Sequence, residues 1–576
     1  MVLAFGEPWV YYLDMASIVG KKQGNKTYYY LVESGRVGGK PRIVSQRYLG
    51  SAEEVMARLE ERGPGEPDRT RHLAFGDLAA VWGILDRLGM VGIVDDIVGQ
   101  RRADAAGSVG TYLALACANR VVAPCSKLAF SDWWETTAGD RLVKLPSAAL
   151  DHRRFWDAMD HVTTEHLVEI ERRITMRMVD EFDVDLSGLV LDMTNFATYI
   201  DSANDRAAIA QRGHAKQKRT DLRLVGLGLV VTTDGAVPLV SHAYGGNRND
   251  TSQFATVLDE LTARFGELAA QSDQLTVVYD AGQGSAHNHG LIEDSPLHFV
   301  SLVRPTDHHD LLAVPRSNYQ VVDADRFGGL LAFETRASIF GHDRRVVVTW
   351  SPRLADKQRA GFAQTLTKAR RQLRELGEGL RRATSRRDAA SVEAEIASIT
   401  RPRWVARVVR TSLTGTAPGA LTFTWRVDRR AVEALEAELF GKRVLYTDRD
   451  GWSLAAVVAA YRSQSDVEGD FRQLKDPKVV SFSPMFHWTD AKIRVHVFYC
   501  VLALRVARLM QREAAHAGMS MSARELLAQL GGIEETVLLY QGDRGRPRAR
   551  RMLTEVTATQ QRLYDLFDLE RYAPKR

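Results

Sequence analysis

The chain has 576 residues, 45% apolar and 26% charged, with a net charge of +5 and a pI near 8.9. These values exclude a disordered or low-complexity chain and leave room for several cored domains. Three cysteines without a CxxC pair (Cys117, Cys125, Cys500) support neither a disulfide framework nor a cysteine zinc site.

The N-terminus, MVLAFGEPWVYYLDMAS, lacks the basic start and long apolar run of a signal peptide. No stretch reaches the roughly 18 apolar residues of a membrane span. The chain reads as cytoplasmic, with no membrane partner. Thr27–Val32 and Arg42–Leu49 are aromatic or alternating, and Gly35–Gly39 joins them, so a β-hairpin is predicted. Gly63-Pro-Gly-Glu-Pro67 reads as a linker. From His72 to about Asp180 the spacing is helical, with Leu78, Val81, Leu85 and Leu88 on one face. Further helices are predicted over Thr111–Arg120 and His166–Val179. Within 120-RVVAPCSKLAFSDWWETT-137, a tryptophan pair belongs either to a core or against a DNA backbone.

From Leu186 the pattern changes. Leu186–Asp192 reads as a strand, as do Leu222–Thr233 and Val237–Ala243, split by the hairpin signal Asp234-Gly235. An amphipathic helix over Thr251–Ala269 precedes the short strands Leu275–Asp280 and His298–Val303. This order predicts an α/β layer with helices covering a mixed sheet. From Tyr319 to about Asp428 the rhythm breaks. Strands over Arg345–Trp350, Val405–Thr411 and Leu421–Val427 flank a charged helical stretch, Ala355–Thr400. Gly441–Thr447 is again a strand, Ser453–Lys475 a helix, and Thr489–Ala515 a long amphipathic helix. The segment GDRGRPRARR, Gly542–Arg551, reads as a basic, mobile tail.

Two aspartates, Asp192 and Asp280, are expected at strand ends on one edge of the sheet, where sites tend to form. A buried-strand carboxylate is costly unless it is paired or binds a metal. A two-metal site needs further carboxylates around divalent ions. Glu468 is the third candidate. At about 100° per residue, Tyr461, Gln464, Glu468 and Lys475 share one helix face. A hydroxyl, an amide, a carboxylate and an ammonium make a poor core face and a good surface for metal and phosphate.

Tyr461, Glu468 and Lys475 match three anchors of the Y-(2)-R-(3)-E-(6)-K signature, and the stretch resembles that of DDE transposases from bacterial insertion sequences. The arginine position of the signature is Gln464 here, and its neighbouring tryptophan position is Ser465. Phe471–Lys475 is similar to the family's FRxLK, and His487-Trp488 with Ile493–His496 resembles the block that follows it. The segment 213-GHAKQKRTDL-222 resembles the basic loop before the second core strand, and TYYYLVES and RYLG resemble the family's N-terminal part. The likeness runs from about Tyr28 to Leu502.

The resemblance implies a ribonuclease H-like catalytic core, a mixed sheet with flanking helices. A β-rich insertion with a helical hairpin interrupts it, after an N-terminal β-hairpin and a helical DNA-binding region. The implied layout is a β-rich segment over 1–62, the helical region over 68–183 and the first part of the core over 184–306. The insertion then covers 307–440, the second part with the Glu468 helix 441–516, and a helical and basic tail 517–576. Asp192, Asp280 and Glu468 would be the catalytic carboxylates and the ligands of two Mg²⁺ (or Mn²⁺) ions. Tyr461, Gln464, Arg472, Lys475, Lys216, Lys218 and Arg219 would meet DNA. The partners implied are double-stranded DNA, both terminal inverted repeats and target, and a second copy of the chain in a paired-end homodimer. The setting implied is bacterial and nucleoid-associated.

The arginines at 370, 371, 374, 381, 382, 386 and 387 crowd the predicted helical hairpin, as a solvated face or a phosphate track. His287, His289, His308 and His309 match no zinc spacing. Gly282-Gln-Gly284 lacks the lysine of a nucleotide phosphate loop. The rival readings are a metal-dependent nuclease on the same fold that joins no strands, and a catalytically decayed DNA-binding derivative, to which Gln464 lends weight.

Overall fold

The computed structural model describes residues 15–37, 40–60, 66–99, 106–201, 203–214, 221–272, 275–382, 386–417, 419–540 and 548–575. The chain forms two compact units. One holds residues 1–73, 534–555 and 573–576, and the other holds 74–533 and 556–572.

In the first unit the expected hairpin, Lys26–Val37 with Lys40–Ser51, gains a third antiparallel strand, Met15–Gln23. That strand is rich in lysine and short of aromatics, so its β pattern is weak. Gly24, at φ +59°, makes the tight turn that pairs Gln23 with Lys26. The tyrosines that signalled the hairpin do pack: Tyr48 lies 6.0 Å from Tyr28 and 5.3 Å from Tyr30, ring to ring. A second sheet places Glu534–Tyr540 between Arg69–Ala74 and Arg548–Leu553. Two expectations are corrected there. The start of the helical region, at His72, is strand. The end of the basic tail is strand too, because Arg551 pairs at 2.6 Å with Glu535, a fully buried carboxylate that needs a cation. Residues 542–547 of that tail lie outside the described residues.

The second unit is built on nine strands. They are β1 (Gly188–Thr198), β2 (Arg223–Thr232), β3 (Pro238–Gly245), β4 (Thr276–Tyr279), β5 (His298–Val303), β6 (Gln320–Val321), β7 (Leu331–Ile339), β8 (His342–Trp350) and β9 (Lys442–Thr447). Their order across the sheet is β6-β7-β8-β9-β5-β4-β1-β2-β3. β1, β4 and β5 run parallel to one another, and the other pairs are antiparallel. β2 and β4 are almost wholly buried, which explains their unbroken apolar runs. Gly235, at φ +78°, turns β2 into β3 as its sequence predicts.

Three departures bear on the site. The strands of the expected β-rich insertion do not stand apart. β6, β7 and β8 join the main sheet through β9, and only Val409–Thr414 with Thr422–Val427 forms a separate hairpin. An antiparallel extension covers the β5 edge that would otherwise expose unpaired backbone. The stretch Val405–Thr411 is a helical turn over Val405–Val408 and strand only from Val409. The single helix Ser453–Lys475 is two helices. Ser463 lies between Leu454–Arg462 and Gln464–Leu474, and its hydroxyl bonds back to the Ala460 carbonyl at 2.5 Å, competing with the helical ladder.

Helices cover the sheet. They include α1 (Asp250–Ser272), α2 (Ala286–Glu293), α3 (Pro352–Leu380), α4 (Ala389–Thr400), α5 (Leu454–Arg462), α6 (Gln464–Leu474) and α7 (Asp490–His516). α3 and α4 form the predicted charged hairpin, and Arg370, Arg371, Arg374, Arg381, Arg382 and Arg386 are exposed on it. Trp134 is core, stacked on Phe130 at 5.8 Å. α7 is buried along most of its length, and its Arg505 donates to the Pro238 carbonyl at 2.8 Å.

Candidate active site

β1 and β4 lie side by side in parallel, with Leu191 level with Tyr279. The residue that follows each is an aspartate, Asp192 within β1 and Asp280 just past the end of β4. Register alone therefore sets Asp192 beside Asp280 at about one strand spacing, roughly 5 Å. Asp192 is not at a strand end, as the sequence had implied. β1 runs on to Thr198 because β2 pairs with it over its whole length, while β4 stops at Tyr279. Asp192 marks the point where β1 outruns β4.

Asp192 is half-buried, and its Oδ1 accepts from the Met193 amide at 2.7 Å. Asp280 is exposed, and its Oδ1 accepts from the Ala281 amide at 2.8 Å. Gln283 connects the two. Its Nε2 lies 3.4 Å from Asp192 Oδ1, and its Oε1 accepts from the Asp280 amide at 3.1 Å. Gln283 is itself anchored, since Asn288 Nδ2 donates to its carbonyl at 2.7 Å. This residue went unnoticed in the sequence. Its sequence signal is an amide between two glycines, close behind a strand-end aspartate and without the lysine of a phosphate loop.

Helix α6 packs against β1 and carries Glu468, which is exposed. Tyr461 reports the neighbourhood. Burial pushes its phenol up to about 12. Arg443, 5.3 Å from the ring, pulls it down, and the charges of Asp280 and Glu468 raise it. Tyr461 is only 7% exposed, so it is far more buried than the helix-face argument implied. Among the described residues, no three His, Cys, Asp or Glu stand close enough to hold a metal ion. Gln283 links the two aspartates, and Glu468 shares the surroundings of Tyr461 with Asp280 without closing a ligand cluster. The donor set is nonetheless the hard-oxygen set that Mg²⁺ takes, and Asp280 is open to solvent.

Lys475 caps α6 and reaches β1. Its Nζ donates to Thr194 Oγ1 at 2.9 Å and lies 5.3 Å from the Phe196 ring. Thr194 and Asp192 share one face of β1 by alternation. Arg472 is exposed beside Glu468, and its Nε lies 3.4 Å from the Glu468 carbonyl. Gln464 is half-buried at the start of α6. Lys216, Lys218 and Arg219 lie outside the described residues. The start of their segment is tied to β1 through Asn195, which donates to the His214 carbonyl at 2.9 Å.

The mixed sheet thus carries two aspartates where two parallel strands part, with an acid, an amide and an ammonium on the adjoining helix. Residues 185–479 match the family described as Transposase DDE domain, which is just over half of the chain. The chain belongs to that family. No curated protein matches it. Among solved structures it is similar to the piggyBac transposase synaptic complex with hairpin DNA (SNHP), determined by cryo-EM. The identity is 9% and the TM-score 0.36, over 81% of this chain and 82% of that one.

Proposed function

We propose that the chain is the DNA transposase of a bacterial insertion sequence of the YREK-signature group. In this reading it cleaves phosphodiesters at the transposon ends and transfers the freed 3′-OH into target DNA. The observation that carries the proposal is the register that sets Asp192 beside Asp280. It does so within a strand order, β3-β2-β1-β4-β5, that supports a ribonuclease H-like core.

Asp192, Asp280 and Glu468 would hold two Mg²⁺ (or Mn²⁺), which when bound supply charge stabilisation at the attacking and leaving oxygens. The chain's own groups position the DNA. Gln283 fixes the rotation of Asp192 and the backbone of Asp280. Lys475 offers a point charge to a phosphate beside Asp192, and Arg472 offers an exposed guanidinium one turn from Glu468. Gln464 donates hydrogen bonds there without adding charge. Lys216, Lys218 and Arg219 would track backbone phosphates, and two copies of the chain would pair two ends.

The test is incubation with duplexes carrying the DNA that flanks the reading frame, with Mg²⁺, scoring cleaved and joined products. Both products are expected. Cleaved ends without joined products would assign a nuclease. Binding without cleavage would assign a DNA-binding derivative, the reading that the uncharged Gln464 favours.

A further inference from the structure

The edge of the sheet that carries the aspartates continues past β5 to a cavity of about 620 Å³. Its walls are the helix His309–Ala313, the turn Arg316–Asn318, the helix Arg429–Leu439 and the first residue of β9, Lys442. Four basic side chains line it, His309, Arg316, Arg407 and Lys442, against one acid, Glu438.

The acid is already engaged. Arg407 donates to Glu438 at 2.5 Å, and His309 lies 3.1 Å from it. Among the described residues, neither Arg316 nor Lys442 has a carboxylate within ion-pair distance. Lys442 is 6% exposed and gives one hydrogen bond, to the Leu312 carbonyl at 2.5 Å. An ammonium has three donors. Burial, and then the nearby Arg316, lower its pKa, and the charge of Glu438 offsets part of this. Arg316 is exposed and held by stacking, its guanidinium 4.7 Å from the Trp350 ring. Two cations thus face one cavity whose one acid, Glu438, is already held by Arg407 and His309.

Register gives their place relative to the aspartates. Tyr279 is level with Ser301, Val303 with Val444, and Lys442 with Trp350. Lys442 therefore sits two strands sideways from Asp280 and about three residues further out on the same edge. That is a separation of about 14 Å.

We propose that the cavity is a subsite for a backbone phosphate of the DNA strand that enters the active site, bound between the Arg316 guanidinium and the Lys442 ammonium. The inference rests on the transposase reading. Its volume admits a phosphate with its sugar, and Lys442 on its wall stands on the same sheet edge as Asp280.

The test uses the full chain and a labelled random-sequence duplex, with affinity measured across a series of salt concentrations for wild type, Arg316→Ala and Arg316→Lys. Arg316→Ala is expected to weaken binding on the order of tenfold and to flatten the slope of log affinity against log salt by about 1. Arg316→Lys keeps the charge and is expected to keep the slope. Arg316 is exposed, so its replacement does not open the core. If wild type binds and cleaves DNA but Arg316→Ala keeps the same affinity and slope, the subsite is refuted and the transposase reading stands. If wild type binds no duplex, the transposase reading itself fails and takes the subsite with it. Inorganic phosphate is the second probe. Thermal stabilisation of wild type but not of Arg316→Ala by phosphate, with unchanged duplex binding, would assign the cavity to a free phosphate compound and overturn the DNA assignment.

Discussion

The Lys475 ammonium donates to the Thr194 hydroxyl at 2.9 Å, fastening the end of α6 to β1 two residues beyond Asp192. This bond carries the helix of Glu468 to the strand of the first aspartate. Lys475→Met should lower DNA cleavage by about 10- to 100-fold, the range of a charge-assisted hydrogen bond of 1.5–3 kcal/mol. Thr194→Val keeps the shape and the charge and removes only the acceptor, so a loss of about fivefold is expected. Single-turnover cleavage rates of the two variants decide between a charge that meets DNA and a purely structural tie. Equal losses would favour the tie.

Gln283 holds both aspartates from one buried side chain. Gln283→Ala should reduce cleavage by about 5- to 20-fold through one or two lost hydrogen bonds of roughly 1 kcal/mol each. Duplex affinity should be unchanged, because the amide orients carboxylates and meets no phosphate. Rates and affinities measured on the same preparation check this.

In the proposed YREK-signature reading Gln464 stands at the arginine position, half-buried at the first position of α6. Gln464→Arg restores a cation beside Glu468. Duplex affinity should rise several-fold, and the salt slope should steepen by about 1. Filter binding at two salt concentrations reads both.

Lys127 is buried with no hydrogen-bond partner among the described residues, 4.5 Å from the Tyr499 ring and 5.4 Å from the Phe155 ring. Burial, with Arg120 nearby, lowers its pKa to about 7, from 10.5 unfolded. Between those values the unfolded chain binds more protons, so this group makes stability rise with pH from about 7 to 10.5. Below 7 its cost is fully present. Lys127→Met should therefore stabilise the protein most near pH 6, by about 2–4 kcal/mol, and the gain should shrink by pH 9. Thermal unfolding of both proteins across that range checks the sign.

The sheet could be read from sequence because its central strands carry unbroken apolar runs and its first turn is Asp234-Gly235. Asp192 and Asp280 stand out in the sequence because the first interrupts such a run and the second ends one. What escaped was non-local. Nothing near Asp192 says that β2 will carry β1 on to Thr198, and nothing in Leu331–Ile339 says that it will extend the same sheet. That hairpin turns through Phe340 and Gly341, both at positive φ, without an Asn-Gly or Asp-Gly signal. The break at Ser463 is local but rests on a side-chain hydroxyl competing with the helix, which apolar periodicity does not record. Gln283 and Thr194 are polar residues whose partners come from other elements. The cation cavity joins residues more than a hundred positions apart.

In the proposed reading Asp192, Asp280 and Glu468 serve one cleavage site, and Glu468 is the member whose side chain stands apart from the two aspartates. The most direct measurement is the Mg²⁺-dependent cleavage rate of labelled element ends by Glu468→Gln beside wild type. Glu468 is exposed, so the variant keeps the fold. The account predicts a loss of about 100-fold or more with duplex binding retained. Cleavage within about threefold of wild type, a difference of less than 1 kcal/mol, would contradict it.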